Sequence, residues 1–573
     1  MAGRRTEGGH EAALRSRCIH GLIGLMRRFE RDEGGAIAVL FGILITVTLL
    51  IAAVAIDHSR FTGEAMQDSQ ALDAGLLAAG NVYRATQDEA AAEAQAKSVY
   101  LANRPDGSKS DVTEIVPIDS TKEISGTTSF GWKATLLRAF GYEEKTLRSM
   151  AKVKIGEGSA EVVLVIDNSS FVSDQIEVFR SASQSFKTEI MGTSGGNGVK
   201  MGVVPFAGAV NVGPEYRGAA WIDQDAAVGF HRENYKTYVG NGVWKAATET
   251  RFELFDRIGE PWAGCVESRS GPYEGNDIAP DPDTPESLYV PMFAPDEPDP
   301  GRNKLAPAAQ QSYYNDYLED YPQADCPKEA CVKETKRGTC LEYQLPSFTP
   351  EQWQQVSCKY ALGRTPNKSI VTFGGQGKNA STVKLTSGPN FGCSSAKLRP
   401  LTRDPIEVGQ TLDAMTASGG SNIAEGVAWG MRVLSPQEPF TGGGEFGDDG
   451  FHKYIIVLAR GANWIEAYKD DLNHSIYTPW GYGVKDRLNP QSHTQQSLTN
   501  AMDEKTRSAC RAAADKGVEV YTIGYQVSDP QMRAMLQYCA VDPKMYLEAS
   551  TPEELLDQMR TIASKISRLH LTQ

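Results

Sequence analysis

Asp167 is the residue of this chain best placed to do chemistry. It lies in the stretch Glu161–Phe171, EVVLVIDNSSF, where five apolar residues from Val162 to Ile166 run into Asp, Asn, Ser and Ser. A short run rich in Val that stops at such residues reads as a buried strand. Its C-terminal end opens into a turn that presents side-chain oxygens. Ligands of open α/β sheets sit outside the carboxyl ends of the strands, so a binding site is expected here. Oxygen donors of this kind suit a divalent cation.

Other constellations are weaker. Glu274–Asp299 holds eight acids and no Lys or Arg, but they lie among prolines with no EF-hand-like loop. A solvated surface loop is expected there rather than a Ca²⁺ site. Gly442–Gly450, GGGEFGDDG, lacks the G-K-[ST] ending of a phosphate loop and reads as a flexible connector. The G-x-S-x-G match at Gly192–Gly196 follows a predicted helix and precedes a strand, the reverse of a nucleophile elbow. The eight His are scattered and no H-E-x-x-H occurs, so no enzyme is expected.

A formal charge of −14 argues against a nucleic-acid-binding surface. Cys18 is isolated, whereas Cys265, Cys326, Cys331, Cys340, Cys358, Cys393, Cys510 and Cys539 lie far downstream. That even number, without a C-x-x-C pair or His at ligand spacing, favours disulfides in an oxidising compartment over zinc. Cys510 and Cys539 flank a predicted strand at Val518–Tyr525, so a bridge between them is expected.

The elements around these residues follow in chain order. Residues 1–35 are basic, and Ala36–Ile56 then runs uncharged for the length of a membrane-spanning helix. The arginines before it are expected to place the N-terminus in the cytoplasm and everything after Asp57 across the membrane. Residues 57–155 are expected to form a stalk helix to about Leu101, with a stripe at Leu72, Leu76, Ala79 and Tyr83, and then a small β-rich unit. That stripe fits either a stalk or a surface for partner helices. From residue 159 to 573, strands alternate with helices, which argues for a mostly parallel sheet covered on both faces. The rhythm stops between about residues 211 and 403, which are read as an inserted, disulfide-pinned subdomain.

Several motifs in this order carry a likeness: Glu33-Gly34-Gly35 before the apolar run, Trp262–Glu267 (WAGCVE), Tyr289–Asp299 (YVPMFAPDEPD), Thr416–Pro436 (TASGGSNIAEGVAWGMRVLSP), Tyr521–Tyr525 (YTIGY) and Cys539-Ala540. The chain resembles TadG-like proteins of the Tad/Flp pilus assembly system, which join a membrane helix to a von Willebrand factor A (vWA) domain. The resemblance implies a doubly wound α/β sheet and a metal-ion-dependent adhesion site. That site is built from a D-x-S-x-S loop, a Thr or Ser of a second loop and an Asp of a third. Asp167 and Ser169 match the first loop, but Phe171 replaces its last Ser; Ser421 matches the second; Arg460 stands where the third-loop Asp is expected. A cation beside a divalent metal is repelled by several kcal/mol, on the order of a close unit-charge pair at modest screening. The expectation is therefore a degenerate site with no metal and no cofactor, in which the Arg460 guanidinium reaches back to Asp167. A weakened site through Asp167, Ser169 and Ser421 is the alternative. The implied function is a non-enzymatic, membrane-anchored pilus assembly or adhesion protein whose partners are other Tad/Flp or pilin-like proteins. The rival is a pseudopilin-like structural subunit.

Overall fold

The computed structural model describes residues 33–569, apart from 87, 105–110, 117–122, 143, 155–158, 193–198, 301–313, 375–381, 448–450 and 469–470. Cys18, most of the basic N-terminus, the G-x-S-x-G match and the end of the Gly442–Gly450 connector lie outside them. The chain forms two compact units, Met1–Lys154 and Ile155–Gln573.

In the first unit, α1 (Glu33–Thr86) is followed by α2 (Glu89–Asn103), whose Asp88 cap accepts from the amides of Ala90 and Ala91. The expected helix to Leu101 is thus two helices, because a capping aspartate starts a new one. Strands β1 (Asp111–Val116), β2 (Glu123–Lys133) and β3 (Glu144–Lys154) form an antiparallel sheet in that order. The stripe on α1 is not left for partners. Leu72, Leu76 and Ala79 are buried, as are Ala92, Ala96 and Tyr100 of α2. A Cβ on Gly126 of β2 would lie 2.9 Å from a Leu76 methyl. Buried Asp68 accepts from the hydroxyls of Tyr100 (2.6 Å) and Thr128 (2.8 Å), tying the three elements together. By contrast, Leu40, Phe41, Leu44, Leu49 and Ile51 of the apolar run are exposed.

The second unit is built on β4 (Ser159–Asp167). It pairs in parallel with β5 (Lys200–Phe206) on one side and, after the small hairpins β6 (Lys236–Gly240)–β7 (Val243–Ala246), β8 (Cys331–Glu334)–β9 (Cys340–Tyr343) and β10 (Ile370–Gly374)–β11 (Thr382–Thr386), with β13 (Phe451–Ala459) on the other. Strands β14 (Glu519–Tyr525) and β15 (Tyr546–Ala549) extend the sheet beyond β13, and β12 (Arg399–Thr402) closes the other edge antiparallel to β5. The order β12-β5-β4-β13-β14-β15 is the 3-2-1-4-5-6 arrangement of a doubly wound sheet. The expected mixed α/β class with a mostly parallel sheet is therefore present. Successive side chains point to opposite faces. Val162, Leu164 and Ile166 meet Phe179 and Phe186 of α3 (Ile176–Met191), Val408 and Leu412 of the later helix Pro405–Asp413, and Leu555 and Met559 of the last helix, Pro552–Leu569. Val163 and Val165 meet Val427 and Ala428 of the helix Ile423–Leu434 and, with them, Trp221, Phe252, Tyr289 and Phe293.

Those four aromatics belong to the insertion. It is not a separate subdomain: its aromatic side chains share the core of one face of the sheet. Its end is also corrected, since β12 at Arg399–Thr402 already belongs to the sheet. A second excursion after β13 brings Tyr477 and Arg487 into the insertion's buried ion network, where Glu267 pairs with Arg251 and Arg487, and Tyr477 donates to Glu267. Among the described residues, four disulfides are present: Cys265–Cys393, Cys326–Cys358, Cys331–Cys340 and the expected Cys510–Cys539.

The acidic stretch is also not a solvated loop throughout. Asp296 is fully buried, accepts from the amides of Tyr317 (2.7 Å) and Leu318 (2.8 Å), and lies 2.8 Å from the buried ammonium of Lys359. Burial pushes Glu297 and Asp320 up to about 7; burial and the neighbouring Asp296, Asp299 and Asp320 push Asp316 up to about 7. These values lie above the ordinary carboxylate range of the unfolded chain. Folding therefore takes up protons between pH 4 and 7, and stability is lost as pH rises through about 7. His231 opposes this. Its Nδ1 pairs with Asp223 (2.8 Å), its Nε2 accepts from the Arg251 amide, and burial holds it below its usual value, so its contribution is lost as pH falls below about 6.5. Three carboxyls outweigh one imidazole. The urea midpoint should rise as pH is lowered from about 8 to about 6, with a slope of up to about 1.4 kcal/mol per pH unit for each proton taken up. A midpoint that falls over that range would contradict these environments.

Candidate functional site

Parallel pairing of β4 with β13 brings Asp167 beside Ala459, Arg460 and Gly461, and the loop before the helix Ile423–Leu434 closes over both strand ends. The loops are stitched by main chain: Ser170 N–H donates to Gly419 O (2.9 Å), Ser418 N–H to Asn168 O (3.0 Å) and Trp464 N–H to Ser421 O (2.8 Å). Asn422 caps the helix through the amide of Glu425, and Asn463 accepts from the amide of Ile423. The three predicted loops do converge.

What they build is not an ion's shell. Asp167 is fully buried. Its Oδ1 accepts from the amide of Ser169 (2.9 Å), and its Oδ2 from the amides of Arg460 (3.2 Å) and Gly461 (2.9 Å). Burial pushes its carboxyl up, while the Ser169 hydroxyl and these amides pull it down. Three N–H dipoles thus point at the oxygens that would face a cation. The Ser421 hydroxyl donates to Gly461 O (3.2 Å), and Ser169 Oγ accepts from the Phe171 amide (3.3 Å).

The position of Arg460 corrects the expectation. Its backbone N–H, not its guanidinium, reaches Asp167. The guanidinium turns the other way, to Phe171 O (3.0 Å) and in a salt bridge to Asp174. This contact with Arg460 holds the Asp174 carboxyl below its usual range. The reason is the space Phe171 fills. Its ring meets Trp464 edge-on at 6.2 Å, and a Cβ on Gly461 would fall 2.7 Å from it. A Cβ on Gly420 would likewise lie 2.7 Å from the Trp464 ring. Among the described residues, no group of three or more His, Cys, Asp and Glu could hold a metal. The donor set does not fit a divalent ion: one carboxylate with both oxygens engaged by amides, the Ser169 hydroxyl engaged with Asp167 and the Phe171 amide, and the Ser421 hydroxyl with Gly461 O.

Sequence reasoning missed Asp174 and Trp464. Phe171 was visible as a departure from the expected serine, yet nothing local to it indicated a plug. Asp174 is exposed and polar, and only the approach of Arg460 gives it a role.

No family model matches this chain, and no curated protein matches it either. Several solved structures are similar. The pilus adhesin SpaC from Lactobacillus rhamnosus GG, in its open conformation, is 12% identical over 80% of this chain and 34% of that one, with a TM-score of 0.29. The vWF domain of the type V pili tip protein Mfa5 from Porphyromonas gingivalis is 9% identical over 73% of this chain and 97% of that one, at 0.31. The pilus adhesin RrgA from Streptococcus pneumoniae is 10% identical over 80% and 48%, at 0.30. The chain spans about a third of SpaC and about half of RrgA. At such scores and identities these likenesses say nothing about a ligand or partner of this chain.

Proposed function

We propose that this chain is a non-enzymatic, inner-membrane-anchored assembly or adhesion protein of a Tad/Flp-type pilus system, resembling TadG-like proteins. Its vWA-like unit binds protein, not a metal, through the face at the carboxyl ends of β4 and β13. The observation that carries this reading is the sealed Asp167. A doubly wound sheet whose ligand-binding end is stitched by its own amides offers a rigid surface with nothing to hydrolyse or coordinate. The helix α1, apolar from Val39 to Ile56 and exposed there apart from Ala53, supports the anchor. The disulfides support an oxidising compartment for the bulk of the chain.

One observation favours the rival reading as a pseudopilin-like subunit. Half of α1 is bare and apolar, while the other half packs on a small antiparallel sheet, a form suited to bundling with like helices. Crosslinking of the tagged full-length protein in its native cells, with mass spectrometry on membranes and sheared pili, separates the two. Retention in the membrane with co-purified assembly proteins is expected. Recovery mainly in sheared pili would overturn it in favour of the subunit.

A further inference from the structure

The β2–β3 hairpin descends along α1 toward the apolar run, step by step. Gly126 sits at Leu72 and Leu76, Thr128 at Asp68 (2.8 Å), and Trp132 meets Phe61 edge-on at 5.4 Å. At the tip, the fully buried Asp57 carboxylate accepts from the amides of Thr135 (3.2 Å), Leu136 (2.9 Å) and Leu137 (2.7 Å). Asp57 is the first residue after the apolar run. The 3₁₀ turn Leu137–Phe140 contacts α1 as well. Ala53, one turn inside the apolar run, is only 6% exposed, whereas Leu49, Val54 and Ile56 around it are bare. At about 1.5 Å per residue, cover on Ala53 lies about 6 Å below Asp57 along the helix.

The composition of this tip is unlike that of a hairpin loop facing water, which is normally polar. Residues 134–142, ATLLRAFGY, contain no acid, and Glu143 and Glu144 follow them in the sequence before Lys145. Leu136 is 41% exposed, Phe140 50% and Tyr142 71%, with exposed Arg138 among them, while Lys133 stands across the hairpin from Glu144 and the Lys145 ammonium lies 5.8 Å from the Phe61 ring centre. Exposed aromatic residues beside a long basic side chain are what the membrane–water boundary selects, with rings at headgroup depth and the basic group reaching outward.

We propose that this hairpin tip is a membrane foot. Leu136, Phe140 and Tyr142 enter the headgroup–acyl boundary of the leaflet from which α1 emerges, and Arg138 reaches its headgroups. The proposal rests on the reading of α1 as a membrane anchor. Asp57 fixes the depth of the foot, because its three amide bonds tie the tip to the last turn of the spanning segment. The first unit is thereby held at a set height and tilt on the bilayer instead of swinging from a single helix.

The test uses the full chain with Cys18→Ser, reconstituted in vesicles of equal parts phosphatidylethanolamine and phosphatidylglycerol. A nitroxide is placed on one added cysteine at a time: Phe140→Cys in the foot, Val47→Cys in the span, and Ile370→Cys, exposed in the second unit. Collision with oxygen reports lipid, and collision with a water-soluble nickel chelate reports water. The label at 140 should be several-fold less accessible to the chelate than that at 370, and more accessible to oxygen, at a depth near the phosphates. Equal chelate access at 140 and 370, with 47 still in lipid, would overturn the foot and leave the anchor standing. A label at 47 in water would overturn the anchor itself. A label at 140 shielded from both agents and broadened by spin–spin coupling would mean that a second copy covers this face, which also overturns the proposal. Tyr142→Cys, labelled the same way, should repeat the result at 140.

Discussion

Asp167→Ala should destabilise the second unit by about 3 kcal/mol or more, read as a fall in the urea midpoint. Three amides, those of buried Ser169 and Gly461 and of half-buried Arg460, lose their acceptor. Each buried donor left unsatisfied costs roughly 1–3 kcal/mol. Asp167→Asn should do little better, because half of its amide group would present donors to donors. The neighbouring side chains set the scale. Ser421→Ala removes one hydroxyl donor and should cost about 1 kcal/mol. Arg460→Ala breaks a pair with Asp174, whose side chain is 62% exposed, and should cost well under 1 kcal/mol, as surface ion pairs do. Hydrogen exchange at residues 169, 460 and 461 should quicken in Asp167→Ala alone. Titration with Mg²⁺, Mn²⁺ or Ca²⁺ should show no micromolar binding. An event of that affinity, abolished by Asp167→Ala, would show that the carboxylate serves an ion and not the loops.

Glu267→Gln should be at least as damaging, at roughly 3–5 kcal/mol, the usual cost of leaving a buried charge without its partner. Glu267 is fully buried between the guanidiniums of Arg251 and Arg487, and Tyr477 donates to it. Burial pushes its carboxyl up, and the two arginines more than reverse that. Glutamine keeps the shape but leaves two buried cations facing each other with one weaker acceptor, Glu233, beside Arg487. The network joins the insertion to the excursion after β13. Limited proteolysis should therefore cut both segments faster while cleavage of the last helix is unchanged. The double variant R251M/E267Q should cost less than the sum of its parts. A midpoint within about 1 kcal/mol of the parent would mean that water reaches these groups and the pair is not held dry.

Much of the sheet was legible in the sequence because buried strands announce themselves. The run at Val162–Ile166 and the YIIVL run at Tyr454–Leu458 have no other economical reading, and Thr416–Pro436 marks a loop and helix start by composition. The edge strand at Arg399–Thr402 was not legible. Four residues including a proline, paired on one side only, carry neither alternation nor an apolar run. The helix Pro530–Cys539 was missed although Asp529 followed by Pro530 is a start signal, because its short turns hold few strong apolar marks. The insertion looked autonomous because its Pro, Gly, Tyr and cysteines break the strand–helix rhythm. Composition records how many aromatics a segment has, not which surface they cover.

For the site, the residue types alone determined that Asp167 ends a buried strand of a mostly parallel sheet. That Phe171 and Arg460 stand where oxygen ligands are expected is what the resemblance to vWA domains implies. Only the tertiary structure decided what replaces the ion. An arginine carries two kinds of donor, a fixed backbone N–H and a guanidinium on a long, flexible stem. Register with β4 directs the first at Asp167, and the Phe171 ring packed on Gly461 diverts the second to Asp174. Sequence specifies charge and reach; which atom arrives is set by the volume its neighbours leave.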